Sequence, residues 1–210
     1  MAVVVADRPG ADVLEPLQGE PVLVRTVRGL VASGVVDHVV VLVAGCTVEP
    51  AGRLLADLPV TVVAEHADVV AAVSARSGGC AAVLVHDATR PLTPPALAEA
   101  VTRSVDDAHG VAVPVLPLAD TVKHVKSDGC VASGPDRTGL RVLQTPQAFR
   151  PDLLDDDVLA KILAADPVEH AWTVVDEPAV PVPGHPLAFP VRSAWDRGLA
   201  EVLAGQAVSP

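Results

Sequence analysis

The sequence predicts an α/β fold in which a mostly parallel sheet is covered by helices on both faces. Short runs rich in valine and leucine, each closed by turn residues, recur along the chain and have the length of strands buried on both sides. Segments with apolar residues at helical spacing lie between them, so strand and helix alternate as a parallel sheet requires. Aromatic residues are nearly absent, with two Phe, two Trp and no Tyr, which leaves Val, Leu and Ala to build the core.

Residues 2–6 form the first strand, and Asp7-Arg8-Pro9-Gly10 turns the chain by composition. A loop over 14–19 and then Glu20-Pro21 lead into a helix over about 22–33, with Leu23, Val27, Leu30 and Val31 on one face and Gly34 as its stop. The β-branched run 37–43 is the second strand, a short helix covers 51–57, and the third strand is 60–64. A weakly amphipathic helix over 67–77 ends at Gly78-Gly79, and the fourth strand follows at 81–85. Thr93-Pro94-Pro95 reads as a helix start, with Thr as N-cap and Pro in the first turn. That helix runs to about Ala108 with Leu97, Val101 and Val105 facing inward, Gly110 ends it, and 111–115 is the fifth strand.

The pattern then changes. Residues 120–126 alternate polar and apolar, Ser127-Asp128-Gly129 makes a turn, and 139–146 alternates again, predicting a hairpin-like arm at about 118–146. A two-stranded arm is marginal by itself. A partner subunit is the economical surface for it, and a fold-back onto the chain's own sheet is the alternative. Residues 152–165 are helical, with Asp155-Asp156-Asp157 near the start, where they suit the helix dipole better than a metal. Residues 176–186 read as loop with an edge strand, 187–191 as a last short strand broken by Pro190, and 194–203 as a closing helix. With no internal repeat, the 210 residues form one domain plus the arm.

A formal charge of −11 and the shortage of aromatic rings argue against nucleic acid as a partner. A phosphorylated small molecule stays compatible, because local Arg and Lys side chains dominate at contact distance. Cys46, Cys80 and Cys130 are widely spaced and form no CxxC pair, which suits free thiols in a reducing cytosol better than zinc or disulfides. The N-terminal apolar run is too short for a signal peptide and no run has membrane-spanning length, so the expectation is a cytoplasmic protein without a membrane partner.

The fourth strand runs into His86-Asp87-Ala88-Thr89-Arg90-Pro91. Ligands of open α/β sheets collect beyond the carboxyl ends of the strands. Asp87 is therefore placed to hold a metal and Arg90 a phosphate; the plain alternative is a turn-capping Asp followed by a surface Arg.

Three stretches in order carry more than this one alone: His86-Asp87-Ala88-Thr89-Arg90-Pro91, Pro117-Leu118-Ala119-Asp120-Thr121-Val122-Lys123, and Gly139 through Gln144-Thr145-Pro146-Gln147-Ala148-Phe149. Together they resemble the 2-C-methyl-D-erythritol 4-phosphate cytidylyltransferase family of the non-mevalonate isoprenoid pathway. The resemblance implies a Rossmann-like, three-layer nucleotidyltransferase fold, homodimeric through the arm. It also implies transfer of CMP from CTP to methylerythritol phosphate with Mg²⁺ and release of pyrophosphate. Carried over by position, Asp87 orients substrate hydroxyls and sits near the metal, and Arg90 supports the sugar-phosphate site. Thr121, Arg137 and Thr145 hold the methylerythritol phosphate across the dimer interface, with Arg137 also catalytic. Ala6 and Ala88 line the nucleotide, and Arg8 stands in for a catalytic arginine of the family's phosphate loop.

The departures from the family pattern are concentrated at the nucleotide end. Where the family has a Gly-rich loop of the form A-A-G-x-G-x-R followed by P-K, residues 6–17 are shorter, hold one Gly and no Lys, and add Asp7, Asp12 and Glu15. Pro9 removes one N–H donor. A family G-G-x-x-R-x-x-S-V segment is replaced by Ala64-Glu65-His66-Ala67-Asp68-Val69-Val70, and Pro190 stands where the family has a Lys, with Arg192 two residues on. Three readings follow: a divergent cytidylyltransferase, a catalytically impaired homologue that keeps the fold and the dimer, and a nucleotidyltransferase for another sugar or alditol phosphate.

Overall fold

The computed structural model describes residues 1–8 and 12–206; the Pro9-Gly10 part of the expected turn lies outside the described residues. The strands are β1 (Ala2–Val5), β2 (Pro16–Leu17), β3 (Glu20–Pro21), β4 (Val39–Leu42), β5 (Val60–Val63), β6 (Val83–Asp87), β7 (Val111–Pro117), β8 (Arg141–Leu143), β9 (Gln147–Phe149) and β10 (Ala179–Pro183). The helices are α1 (Val22–Val31), α2 (Val48–Leu54), α3 (His66–Ser74), α4 (Pro95–Arg103), α5 (Asp156–Ala164) and α6 (Ala194–Gln206). The main sheet has the order β10-β7-β9-β6-β1-β4-β5, with β8 paired to the end of β7, while β2 and β3 form a small separate ribbon.

Valine alternation divides the core into two layers, as a doubly covered sheet demands. Ala2 and Val4 of β1 pack with Leu23, Val27 and Leu30 of α1, Ala98 and Val101 of α4, and Ala200 of α6. Val3 and Val5 point the other way, onto Val69 and Val73 of α3 and Leu159, Ile162 and Leu163 of α5. The result is a three-layer α/β fold with a mostly parallel sheet.

The order is less simple than alternation predicts. β9 inserts between β6 and β7 and is antiparallel to both, with Val83 opposite Phe149 and Ala112 opposite Ala148. All three β9 residues are buried, so it fills the central gap with one amide and one ring.

The arm also differs from its expected form. The limb before the turn does not pair with 139–146. It pairs with the residues just after the turn, through a bridge between Val125 and Val131 and bonds from Lys126 N–H to the Cys130 carbonyl and Ala132 N–H to the His124 carbonyl. The 141–143 segment returns to the sheet instead, with Leu143 opposite Val115. Residues 187–191 form no strand. Their backbone is held by Gln144, whose amide donates to the His185 and Ala188 carbonyls, and by Val191 N–H on the Thr89 carbonyl.

Two helix ends moved for local reasons. Pro94, extended at ψ 140°, occupies the N-cap position of α4 expected for Thr93, whose hydroxyl donates to the Arg90 carbonyl instead. The same helix stops at Arg103, before a turn in which the Asp106 carboxylate accepts the N–H groups of Ala108 and His109, the local competition that ends helices at Asp. The Asp155-Asp156-Asp157 run behaves as the dipole argument predicts, with Asp155 capping α5 through Val158 N–H and the other two in the first turn.

Candidate active site

Asp87 is the last residue of β6, opposite Val5 of β1, and the whole strand is buried. Its Oδ1 accepts the Thr89 N–H at 2.9 Å and the Thr89 hydroxyl at 2.8 Å. Its Oδ2 lies 2.6 Å from Arg192 Nη2 and 3.9 Å from Arg90 Nε. Burial pushes the carboxyl up, but the Thr89 N–H, the Arg90 charge, the Thr89 hydroxyl and the Arg192 charge together hold it below the ordinary value. Asp87 is an ionised carboxylate at the carboxyl end of the sheet.

Thr145 fixes the Asp87 backbone from behind. Its hydroxyl accepts the Asp87 N–H at 3.1 Å and lies 2.8 Å from His86 Nδ1. Desolvation lowers the His86 pKa to about 3 against the opposing Asp87 charge, so the ring is neutral at physiological pH. With the folded value below 6.5, the unfolded chain binds the extra proton between the two values, and stability falls as pH drops through that window. Replacing His86 with Gln should lower proton uptake on unfolding by about one near pH 5. A shallower pH dependence of the urea midpoint is the readout, and an unchanged slope would contradict the assignment.

Arg90 is 3 % exposed, and its two terminal nitrogens donate to the Ala188 carbonyl and to Glu169 Oε1. Glu169 sits on a short 3-10 segment, Val168–Val174, anchored by Gln147 of β9. Gln147 Nε2 donates to the Glu169 carbonyl at 2.7 Å, and Gln147 Oε1 accepts the Trp172 N–H at 3.0 Å. Arg192 Nη2 approaches Glu169 Oε1 to 3.4 Å. Two carboxylates and two guanidiniums therefore form one cluster, with Arg90 enclosed and Arg192 44 % exposed at its rim.

Beyond Arg192 opens a cavity of about 540 Å³ lined by Asp12, Glu15, Ser193, Arg197 and Glu201, with Arg192 itself on its wall. The start of α6 is held by a reciprocal pair: Asp196 N–H donates to Ser193 Oγ at 3.1 Å and Ser193 N–H to Asp196 Oδ2 at 2.9 Å. An ionised carboxylate, a half-exposed guanidinium and an open cavity are the equipment for handling a phosphorylated ligand.

The sequence model of the 2-C-methyl-D-erythritol 4-phosphate cytidylyltransferases matches residues 8–206. The chain belongs to this family. The cytidylyltransferase of Frankia casuarinae is 41 % identical over 193 residues, covering 90 % of this chain and 73 % of the relative. That of Nocardia farcinica is 41 % identical over 192 residues, covering 90 % and 83 %. The crystal structure of the Thermus thermophilus cytidylyltransferase superposes with a TM-score of 0.75 at 26 % identity, covering 97 % of this chain and 98 % of that one.

The family's expected site residues fall into four groups. Asp87, Arg90 and Thr145 come together, although Thr145 is fully buried with its hydroxyl committed to His86 and Asp87, and Arg90 faces inward. Ala6 and Ala88 flank the strand ends through backbone contacts: Ala6 N–H to the Leu42 carbonyl and Ala88 N–H to the Val5 carbonyl. Thr121 and Arg137 are exposed on the arm, where Arg137 donates to the Asp120 carbonyl, and neither bonds to the Asp87 cluster. Arg8 is turned elsewhere, donating to the Leu163 and Ala165 carbonyls at 2.7 and 2.6 Å, where it closes the C-terminal end of α5. Glu169, Gln144 and Gln147 had no assigned role in the sequence. The two glutamines bracket Thr145-Pro146 inside a motif already singled out, and that position was the available signal.

Proposed function

We propose that the protein transfers CMP from CTP to 2-C-methyl-D-erythritol 4-phosphate, releasing pyrophosphate, as one nucleotidyltransferase-like domain with its arm. The observation that supports this reading most directly is the ionised Asp87 at the carboxyl end of β6, braced by Arg90 and faced by Arg192. A phosphate oxygen of the sugar phosphate forms a bond to the α-phosphorus of CTP as the bond to the bridging oxygen of pyrophosphate breaks in line. Positioning and cationic neutralisation of the phosphoryl oxygens are the main demands of such a step. In this reading Asp87 orients substrate hydroxyls, Thr145 holds its backbone and Arg90 braces its carboxylate from inside, and Ala6 and Ala88 give the nucleotide a close backbone wall. Thr121 and Arg137 reach the sugar phosphate from the arm of a second copy.

Mg²⁺ usually binds proteins through one or two carboxylates plus substrate phosphates. No group of three or more acidic, His or Cys ligands exists among the described residues, so Asp87 with phosphate oxygens is the donor set that fits. Bound there, the ion would supply further neutralisation of the triphosphate.

The arm carries Val122, Val125, Val131 and Val142 in exposed positions, and this apolar surface supports the homodimer. No helix among the described residues is long and apolar enough to cross a membrane.

A second reading, a homologue that keeps the fold with little or no turnover, is favoured by the segment after β1, which contains no Lys and places Arg8 on α5. Calorimetric titration of CTP with Mg²⁺, run beside a pyrophosphate-release assay with methylerythritol phosphate, separates the two. Binding and release are expected; no CTP binding at about millimolar nucleotide would remove the transferase reading. Sedimentation of the same preparation should show a dimer at micromolar concentration.

A further inference from the structure

Arg192 stands at the boundary between the buried charge cluster and open space. On its inner side, Nη2 lies 2.6 Å from Asp87 Oδ2 and 3.4 Å from Glu169 Oε1. On its outer side, the residue forms part of the wall of the cavity of about 540 Å³. The backbone does not share this freedom, since the Arg192 N–H donates to Asp196 Oδ2 at 3.1 Å beside the Ser193–Asp196 pair. Motion is thereby confined to a long side chain with several staggered rotamers. The neighbouring guanidiniums are not equivalent: Arg90 is enclosed, and Arg197 is held by Glu15 at 2.9 Å and the Pro16 carbonyl at 3.1 Å.

A carboxylate has about four acceptor directions. Thr89 uses those of Oδ1, while Oδ2 faces Arg192 and, at longer range, Arg90. A second cation at contact distance from Oδ2 would meet the Arg192 charge at close range in a poorly solvated place. Arg192 has to leave before a divalent ion can reach Asp87.

We propose that Arg192 is an exchangeable counter-ion: it releases Asp87 when a divalent cation arrives with the nucleotide, then turns outward and binds a substrate phosphate in the adjoining cavity. The guanidinium is thus stored on an acid of the empty site and spent on a phosphate of the filled one, and Asp87 is never left without a cation. This deepens the transferase reading and rests on it for the identity of the phosphate.

The test uses Mn²⁺ as the probe, titrated without nucleotide and followed by electron paramagnetic resonance, on wild type, Arg192→Gln, Arg192→Met and Arg192→Lys. Removing the competing charge should make Mn²⁺ binding tighter by on the order of tenfold in the Gln and Met variants, the scale on which one neighbouring cation shifts a carboxylate's proton affinity. Arg192→Lys should keep the wild-type affinity. In the pyrophosphate-release assay the Gln and Met variants should lose about two to three orders of magnitude in kcat/KM, with part of it restored by Lys. Metal binding thus moves one way and turnover the other, which a merely structural ion pair would not produce. Unchanged Mn²⁺ affinity in both neutral variants overturns the exchange, and wild-type kcat/KM in them overturns the phosphate contact. A wild type that releases no pyrophosphate removes the proposed function, while the Mn²⁺ comparison still decides the exchange.

Discussion

Replacing Glu169 with alanine should destabilise the protein by about 3–5 kcal/mol, because it leaves a buried guanidinium without its carboxylate. Arg90 is 3 % exposed and cannot reach water without opening the segments around Ala188 and the 3-10 turn. With Glu169 gone, its nearest negative charge is Asp87, 3.9 Å from Nε and already shared with Arg192. The cluster would then carry two guanidiniums on one acid. Glu169→Gln serves as control, since an amide oxygen in place of Oε1 still accepts a hydrogen bond and removes only the charge. The ranking expected from urea midpoints is wild type, then Gln, then Ala. A loss of less than about 1 kcal/mol in the alanine variant would mean that Arg90 contributes no more than a surface pair.

Asp87→Asn should leave the protein folded and lower pyrophosphate release by about two to three orders of magnitude. Asparagine keeps an acceptor for the Thr89 N–H and hydroxyl, so the turn after β6 survives. What disappears is the charge facing Arg192 and available to a cation. The pH behaviour provides an independent check. Asp87 has a folded pKa below its ordinary 3.8, so its contribution to stability is present above that value and is lost as pH falls through the folded one. The asparagine variant should lack this component of acid unfolding. Turnover within about tenfold of wild type would exclude Asp87 from the reaction.

How far the sequence shows the site depends on how each residue is held. The place of Asp87 was legible because an apolar run closed by an acid reads as a buried strand, and β6 ends on that residue, where Oδ1 also makes the turn contact with Thr89 that the plain alternative expected. Arg192 was legible only in part. Its placement two positions beyond Pro190 put it near the family's Lys position at the end of an expected strand, yet no strand exists there, and Gln144 shapes the preceding backbone instead. Glu169 was not legible, because a 3-10 turn in an irregular stretch has no periodicity to mark an inward residue. Thr145 shows the opposite case: its part in a motif suggested ligand contact, while its buried hydroxyl bonds to His86 and the Asp87 backbone within the protein. The same limit explains β9 and the arm. Strand segments of about three residues lie below the length at which alternation identifies a partner, and their pairing is settled by tertiary contacts.

The two edges of the sheet have unequal consequences for self-association. In β10, Gly184 N–H just beyond the strand donates to the Val115 carbonyl, so even-numbered residues face β7 and the odd-numbered Pro181 and Pro183 face outward. Both outward positions lack an N–H, and an incoming strand finds half a ladder there. At the opposite edge, β5 has the sequence Val-Thr-Val-Val, partly exposed and with its donors intact. Fibrous growth by strand addition needs two competent edges, one to receive and one to offer. A molecule with a proline-blocked β10 can join a second copy β5 to β5, and the pair then presents only hindered β10 edges along this strand order, so misassembly by this route is expected to stall at a pair.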